Sequence, residues 1–209
     1  MQTIIEDGSR VLFQGDSVTA CDRNRSDPHD LGRGFAMMAA SWFSALYPEK
    51  NITFINRGVS GDRTKDLVRR WDEDCLALRP EWVSVLIGIN NMWRRYDSND
   101  PTPLEQFEAE YREILDRTKR ELNAKLILCE PFLLHISSSH AAWREDLDPK
   151  IDVVHRLARE HNAILIALDR IFIEASTRRD PAFWAPDGVH PSLAGHALIA
   201  QTWLKHILA

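Results

Sequence analysis

Cysteine, glycine and proline are all scarce in this chain of 209 residues. The three cysteines, Cys21, Cys75 and Cys129, form neither a CxxC pair nor an even set. The sequence therefore predicts neither a zinc site nor a disulfide framework, and buried thiols are the simpler interpretation. With 9 glycines and 10 prolines against 44% hydrophobic residues, a collagenous, low-complexity or disordered chain is excluded.

An excess of positive charge is also missing. The 26 basic and 31 acidic residues give a formal net charge of −5, so the chain lacks a broad field that would attract a phosphate backbone, and we expect no nucleic-acid partner. Long hydrophobic runs are absent as well. The least polar stretch, residues 35–47, covers 13 positions, whereas roughly 20 are needed to cross a bilayer. We expect no membrane association, and we predict a core helix over residues 35–47.

Short β-rich runs alternate with segments of helical periodicity along the whole chain, a pattern typical of βαβ units around a parallel sheet. The predicted strands are apolar on both faces, as strands of a covered parallel sheet must be. They are residues 10–14, 52–56, 82–87, 125–129 and 163–168. No linker or repeat interrupts the pattern. The sequence therefore predicts one α/β domain over residues 1–209, a three-layer α/β/α sandwich around a five-stranded parallel sheet.

The predicted helices place apolar residues every three or four positions, which gives each of them one buried stripe. The clearest stripes lie within residues 67–75, 104–122 and 193–207. In such folds a ligand sits beyond the carboxyl ends of the strands. The residues that directly follow each strand are therefore the ones to inspect for function.

Groups suited to acyl transfer follow three of the strands and precede the last helix. Ser17 in GDSVT follows the first strand, Gly61 lies in NRGVSGD after the second, and Asn90 in GINN follows the third. Asp187 and His190 are three residues apart in DGVH. Taken singly, each block is ordinary turn and capping chemistry. Together they supply a hydroxyl nucleophile, hydrogen-bond donors, a base and a carboxylate that can orient the base.

The four blocks, in this chain order, resemble those of the SGNH hydrolase superfamily, also called the GDSL family. The resemblance extends from Arg10 to the final helix and implies the flavodoxin-like SGNH hydrolase fold. The phrases RGVSGDRTKDLVRRW, WVSVLIGINNMWRRYD and DGVHPSLAGH are similar to the acetyl xylan esterase branch. One departure is Asn91, where the family usually has Asp. No Gly-x-Ser-x-Gly elbow surrounds Ser17, which argues against an α/β-hydrolase fold.

The residues support covalent catalysis. His190 would take the proton of Ser17, and Asp187 would hold the imidazole and stabilise its charged form. The resemblance implies an oxyanion hole made of the Ser17 and Gly61 N–H groups and the Asn90 side-chain NH₂. Such a mechanism needs no metal and no organic cofactor.

Substrate contacts are expected at Asp16, Arg63, Trp93 and Arg94, each with a structural alternative. Asp16 suits the organisation of its turn, and Arg63 suits a solvated position. Trp93 with its basic neighbour Arg94 could stack on a sugar, or could serve packing or a subunit contact. Residues 133–143 are predicted to form a long loop after the fourth strand, as a rim or lid of the site.

The leading hypothesis is a serine esterase that removes small acyl groups, chiefly acetyl, from xylo-oligosaccharides or related carbohydrates. A lipase, thioesterase or arylesterase of the same family stays open, as does a non-enzymatic flavodoxin-like binding module. The partner is then a small acylated substrate, and the seven tryptophans leave a homo-oligomer open. Residues 1–7 lack the features of a secretory signal, so a cytoplasmic location is expected.

Overall fold

The computed structural model describes residues 2–208, and within them five strands form one parallel sheet. The strands are β1 (Arg10–Gly15), β2 (Thr53–Asn56), β3 (Trp82–Leu86), β4 (Lys125–Cys129) and β5 (Ile164–Ile166). Their order across the sheet is β2-β1-β3-β4-β5. The predicted parallel α/β architecture is confirmed, because every predicted strand is present and every pairing is parallel.

Helices cover both faces of the sheet. They are α1 (Ser17–Ala20), α2 (Phe35–Leu46), α3 (Thr64–Asp74), α4 (Ile89–Asp97), α5 (Leu104–Leu122), α6 (Ser139–Glu160), α7 (Leu168–Ser176), α8 (Pro181–Trp184) and α9 (Leu193–Ile207). Helices α2, α7 and α9 pack in one hydrophobic cluster, while α3, α5 and α6 pack in another on the opposite face. The result is the predicted three-layer sandwich, with the core helix expected over residues 35–47 present as α2.

Side chains of β1 show how the sheet separates the two cores. Val11 and Phe13 enter the cluster of α2 and α9, whereas Leu12 enters the cluster of α3 and α5. This alternation follows from the two-residue period of a strand. All three side chains are fully buried, so a one-residue slip of β1 would exchange the two apolar sets between the two cores.

The register of the sheet aligns the carboxyl ends of its central strands. Gly15 of β1 pairs with Leu86 of β3, and Leu86 pairs with Cys129 of β4. The residues that follow these strands therefore leave the sheet along one edge. This edge is where the sequence blocks around Ser17 and Asn90 are placed.

The predicted loop over residues 133–143 is only partly present. An irregular segment does follow β4, but α6 begins at Ser139 and includes Trp143. Helix-compatible alanines at positions 141 and 142 follow the serines, and the buried Leu147 and Ile151 anchor the helix. Within residues 2–208, no helix combines the length and apolarity needed to span a membrane.

Candidate active site

Ser17 is the first residue of α1, directly after the turn that ends β1. The Asp16 side chain caps this helix by accepting a hydrogen bond from the Val18 N–H at 3.0 Å. At Gly15 the chain passes so close to β3 that an added Cβ would lie 2.2 Å from the Leu86 carbonyl oxygen. The tight turn and the cap together direct the Ser17 hydroxyl out of the sheet edge.

His190 and Asp187 reach Ser17 from the segment before α9. The Ser17 Oγ lies 3.0 Å from the His190 Nε2, and the His190 Nδ1 lies 2.7 Å from the Asp187 Oδ2. The other oxygen of Asp187 accepts the backbone N–H groups of His190 (2.7 Å) and Val189 (2.9 Å). Because the carboxylate holds Nδ1, the proton sits there and Nε2 faces the hydroxyl as an acceptor. This is the geometry of an activated serine nucleophile.

The electrostatics of this chain fit a general base. The hydrogen bond to Asp187 raises the pKa of His190 above 6.5, although burial acts in the opposite direction. Burial opposes ionisation of Asp187 too, but its hydrogen bonds with His190 and Val189 lower the pKa of this carboxyl to about 2. The pair therefore holds a carboxylate beside an imidazole whose charged form is stabilised.

Asp16 is almost completely enclosed, with 1% of its surface exposed. Burial raises the pKa of its carboxyl to about 7, while the Val18 N–H and the charge of His190 act against the rise. The structure thus places Asp16 under the helix that bears Ser17. Its observed contact is the helix cap.

Two further blocks face the same region. Gly61 has a φ of +86°, and a Cβ added there would meet open space. Asn90 lies in the first turn of α4 and is 3% exposed. Its Nδ2 donates to the Asp62 carbonyl at 3.1 Å, and its Oδ1 accepts from the Arg94 guanidinium at 3.3 Å. An amide nitrogen has two hydrogens, so one stays available to a developing oxyanion.

Asn91, the departure from the family pattern, is buried and joins two helices. Its Oδ1 accepts the Thr64 N–H at 3.2 Å, and its Nδ2 donates to the Thr64 Oγ1 at 2.9 Å. A carboxylate here would have no hydrogen to donate to the hydroxyl. The amide therefore serves both groups of Thr64 at the start of α3.

A buttress, here defined as Leu134, His140, Arg144 and Asp169, supports the Asp187–His190 segment from behind. The Leu134 N–H donates to the Gly188 carbonyl at 2.8 Å, and the Leu134 carbonyl lies 2.8 Å from the His140 Nδ1. Asp169 accepts the Leu133 N–H at 3.1 Å and two hydrogen bonds from Arg144, at 2.7 and 2.8 Å. Leu134 and His140 lie in the segment 133–143, which the sequence predicted as a rim or lid of the site, whereas Arg144 and Asp169 were not predicted. The one available signal for Asp169 was its position three residues after the end of β5.

Of the remaining expected substrate contacts, Trp93 and Arg94 lie beside His190, whereas Arg63 is bound by another segment. The Trp93 ring lies 5.8 Å from the His190 ring, between centroids, and the Arg94 guanidinium lies 5.8 Å from the Trp93 centroid. Arg94 also pairs with Asp97. Arg63 instead binds Asp100 at 2.5 Å. Trp93 and Arg94 therefore border the candidate site, whereas the Arg63 guanidinium is held by the segment before α5.

Cys21, at the end of α1, contacts His196 of α9. The Cys21 Sγ lies 3.3 Å from the His196 Nε2, and the His196 Nδ1 accepts the Phe35 N–H at 3.2 Å. Burial and the charge of His190 lower the pKa of His196 to about 4. His196 is thus a neutral, packed histidine that links α1, α2 and α9.

Comparisons with known proteins agree on one family. The model of the GDSL-like lipase/acylhydrolase family matches residues 13–198. An acetylxylan esterase from Geobacillus stearothermophilus is 36% identical, with 97% of this chain and 95% of the esterase covered. The crystal structure of Axe2, an acetylxylan esterase from Geobacillus stearothermophilus, superposes with a TM-score of 0.89, at 35% identity over 97% of this chain and 95% of that chain.

A more distant relative is the thioesterase 1/protease 1/lysophospholipase L1 of Escherichia coli K12, which is 23% identical over 94% of this chain and 82% of its own length. The extent of the family match and the 36% identity settle the family and the reaction class. The chain belongs to the GDSL-like lipase/acylhydrolase family and is a carboxylic ester hydrolase.

Proposed function

We propose that the protein is a serine esterase that removes acetyl groups from xylo-oligosaccharides or related carbohydrates. The observation that carries the proposal is the unbroken hydrogen-bond chain from Ser17 through His190 to Asp187, at distances of 3.0 and 2.7 Å. This series of hydrogen bonds lies at the sheet edge, where the Gly61 N–H and the Asn90 amide are the proposed donors to the oxyanion. The proposal also treats residues 1–209 as a single domain of this family.

In the acylation step, the Ser17 oxygen attacks the ester carbonyl carbon while the His190 Nε2 accepts the hydroxyl proton. The resulting negative oxygen is stabilised by the N–H groups of Ser17 and Gly61 and by the Asn90 amide. Removal of one such donor typically lowers kcat by about 10² to 10³. His190 then gives its proton to the departing sugar oxygen, which leaves an acetyl group on Ser17.

In the deacylation step, water attacks the acyl-enzyme and His190 again accepts the proton. Asp187 stabilises the imidazolium in both steps and keeps the ring in one orientation. Acetate leaves with the oxygen of the water molecule, and the Ser17 hydroxyl is restored.

Support for the acetyl group and the sugar comes from two sources. The relative at 36% identity is an acetylxylan esterase, and Trp93 with Arg94 offers an aromatic face and a donor beside His190. Sugar rings stack on aromatic faces and bond to charged donors. The cytoplasmic location and a homo-oligomer stay predictions.

The test measures acetate release from acetylated xylo-oligosaccharides together with a panel of p-nitrophenyl esters from acetyl to octanoyl. We expect kcat/KM to fall about tenfold or more between acetyl and butyryl esters, since a methylene in a fitted pocket is worth about 1–3 kcal/mol. Faster turnover of octanoyl than of acetyl esters would reject the acetyl specificity and favour a lipase or thioesterase.

The mechanism is tested by Ser17→Ala, with Ser41→Ala on the exposed side of α2 as the matched control. We expect the first variant to fold and to lose ester hydrolysis, and the second to keep it. A serine-directed phosphonate should label Ser17 alone. Labelling of another serine would show that the nucleophile is not Ser17.

Trp93→Ala should lower the kcat/KM for acetylated xylo-oligosaccharides more than that for p-nitrophenyl acetate, and equal losses would show that Trp93 only supports the site structurally.

A further inference from the structure

A cavity of about 190 Å³ opens beside the candidate oxyanion loop, on the β2 side of α1. Its walls come from the end of α1 and the turn that follows, and from the glycine block after β2. The lining residues are Ala20, Asp22, Arg23, Arg25, Gly58, Val59 and Ser60. The two arginines bring positive charge to a cavity that the reaction described above does not use.

Within residues 2–208, no carboxylate lies within 4 Å of the guanidinium nitrogens of Arg23 or Arg25, although the charges of Asp74 and Asp62 act on them from farther away. Arg23 donates from Nη2 to the Gly58 carbonyl at 3.1 Å. Its Nε is buried and has no acceptor in the described part of the chain. A buried donor of a charged group left without an acceptor is costly. The charge of Arg23 is therefore only partly compensated, through its hydrogen bond to the Gly58 carbonyl.

The surrounding charges point to an anion. Burial lowers the pKa of Arg23, and the nearby positive charges of Arg57 and Arg25 lower it further. Asp74, whose charge opposes this lowering, is already bound by Arg57 at 3.5 Å and by Arg70 at 2.9 Å. A carboxylate placed in the cavity would relieve the repulsion among these guanidinium groups, and planar carboxylates match the donor geometry of arginine.

The cavity lies within reach of a substrate bound at Ser17. Ala20 follows Ser17 by three residues on α1, a spacing that puts the two Cβ atoms about 5–6 Å apart. Ser60 directly precedes Gly61. Gly58 packs so closely on α1 that an added Cβ would lie 2.4 Å from the Ala20 nitrogen. The cavity and the candidate oxyanion loop therefore share one rigid wall.

We propose that Arg23 and Arg25 form a subsite for a carboxylate borne by the substrate, so that the enzyme prefers acylated saccharides that contain an acidic sugar. The inference rests on the proposed function and adds a substrate feature to it. Asp22, which also lines the cavity and is exposed, opposes the anion and limits the preference.

The test compares an acetylated xylo-oligosaccharide that bears a uronic acid with the same molecule after its carboxyl group has been reduced to an alcohol. We expect kcat/KM for acetate release to be about tenfold higher for the acidic molecule, mainly through KM. Added NaCl should reduce the preference, because salt screens charges near the surface. The carbohydrate backbone and the acetyl ester are identical in both substrates, so the ratio isolates the carboxylate.

Variants then locate the contact. Arg25→Met should reduce the acidic-to-neutral ratio to near one, and Asp22→Asn should increase it. Arg120→Met, an exposed arginine of α5 paired with Glu121, is the matched control and should leave the ratio unchanged. Because Arg23 also binds the Gly58 carbonyl, Arg23→Lys is preferred to a neutral change, and it should reduce the ratio while the protein stays folded.

The outcomes separate this inference from the proposed function. Equal kcat/KM for both oligosaccharides would overturn the subsite and leave the carbohydrate esterase proposal intact. Thermal stabilisation by inorganic phosphate combined with equal kcat/KM would show a site for free anions, which also overturns it. Hydrolysis of p-nitrophenyl acetate without hydrolysis of either oligosaccharide would overturn both proposals.

Discussion

Gly188 lies between Asp187 and His190, and replacing it with alanine tests how the candidate triad is held. Its φ of +84° is unfavourable for residues with a Cβ, and the added Cβ would lie 2.5 Å from the Leu134 carbonyl oxygen and 2.7 Å from the His140 Cε1. The first obstacle is backbone, so it cannot move away as the end of a flexible side chain could. We expect Gly188→Ala to displace the segment that bears His190.

Gly8→Ala is the matched control. Gly8 has a similar φ of +77°, but a Cβ there would meet nothing within 4 Å. A left-handed conformation costs a residue with a Cβ about 1–2 kcal/mol, and this cost applies to both variants. Only Gly188→Ala adds steric overlap, which typically destabilises a packed interior by a further 1–3 kcal/mol or so.

Thermal unfolding and ester hydrolysis measure the two effects separately. For a protein of this length, 1 kcal/mol lowers Tm by about 2–4 °C, so Gly188→Ala should unfold several degrees below Gly8→Ala. Turnover of p-nitrophenyl acetate should fall by about 10² in Gly188→Ala, the usual effect of a shift of about 1 Å in a reacting group, and stay normal in Gly8→Ala. Equal Tm values and unimpaired turnover in both variants would refute the role of the buttress.

Three further predictions concern titration and thiols. The hydrogen bond to Asp187 raises the pKa of His190 above 6.5, so a pH–rate profile should show activity being lost as the pH falls through a value above 6.5. In Asp187→Asn this loss of activity should move to lower pH, and kcat should fall about 10⁴-fold. Burial raises the pKa of Asp16 to about 7, so between about pH 4 and 7 the folded protein keeps a proton that the unfolded chain releases. The free energy of unfolding therefore declines as the pH rises through this range. Asp16→Asn keeps the cap oxygen and should raise Tm more at pH 8 than at pH 5, whereas an equal change at both pH values would contradict the linkage. A thiol reagent at pH 8 should titrate Cys21 alone in the folded protein and all three cysteines after unfolding, because Cys75 and Cys129 are fully buried whereas Cys21 is partly exposed. Burial raises the pKa of Cys21 and raises that of the other two thiols to about 12, so Cys21 should react more slowly than a free thiol; rapid reaction of all three in the folded state would disprove the burial of Cys75 and Cys129.

The fold was predictable because local patterns determine its main elements. β4 coincides with the predicted run 125–129, because this short apolar run directly follows the end of α5 at the left-handed Asn123 and is typical of a strand covered on both faces. The run 163–168 was too long, because α7 already begins at Leu168 and leaves only Ile164–Ile166 as β5. Periodicity alone cannot decide where a short apolar strand gives way to a buried helix.

The meeting of Ser17 with His190 at one sheet edge followed from strand order and chain order, while their catalytic roles stay predictions. The contact between Leu134 and Gly188 could not be predicted, because it joins backbone atoms. Nearly every residue type has these atoms, so the side chains at the two positions do not indicate the contact. Arg63 shows the same limit: its partner Asp100 is 37 positions away in a segment without periodicity. Long-range polar contacts depend on how elements pack, and packing is not a local property.

The distance along the chain between the two halves of the candidate site has a consequence for biosynthesis. Ser17 and His190 are separated by 173 positions, so the hydroxyl emerges from the ribosome well before its base. Contacts of such long range form late in folding, because the loop between them must first be closed. Until α9 docks against α2, a nascent chain has a serine without a base and is inert toward cellular esters. A fluorogenic acetate added during refolding would therefore report the docking of α9, and its hydrolysis should lag behind the recovery of helical circular dichroism.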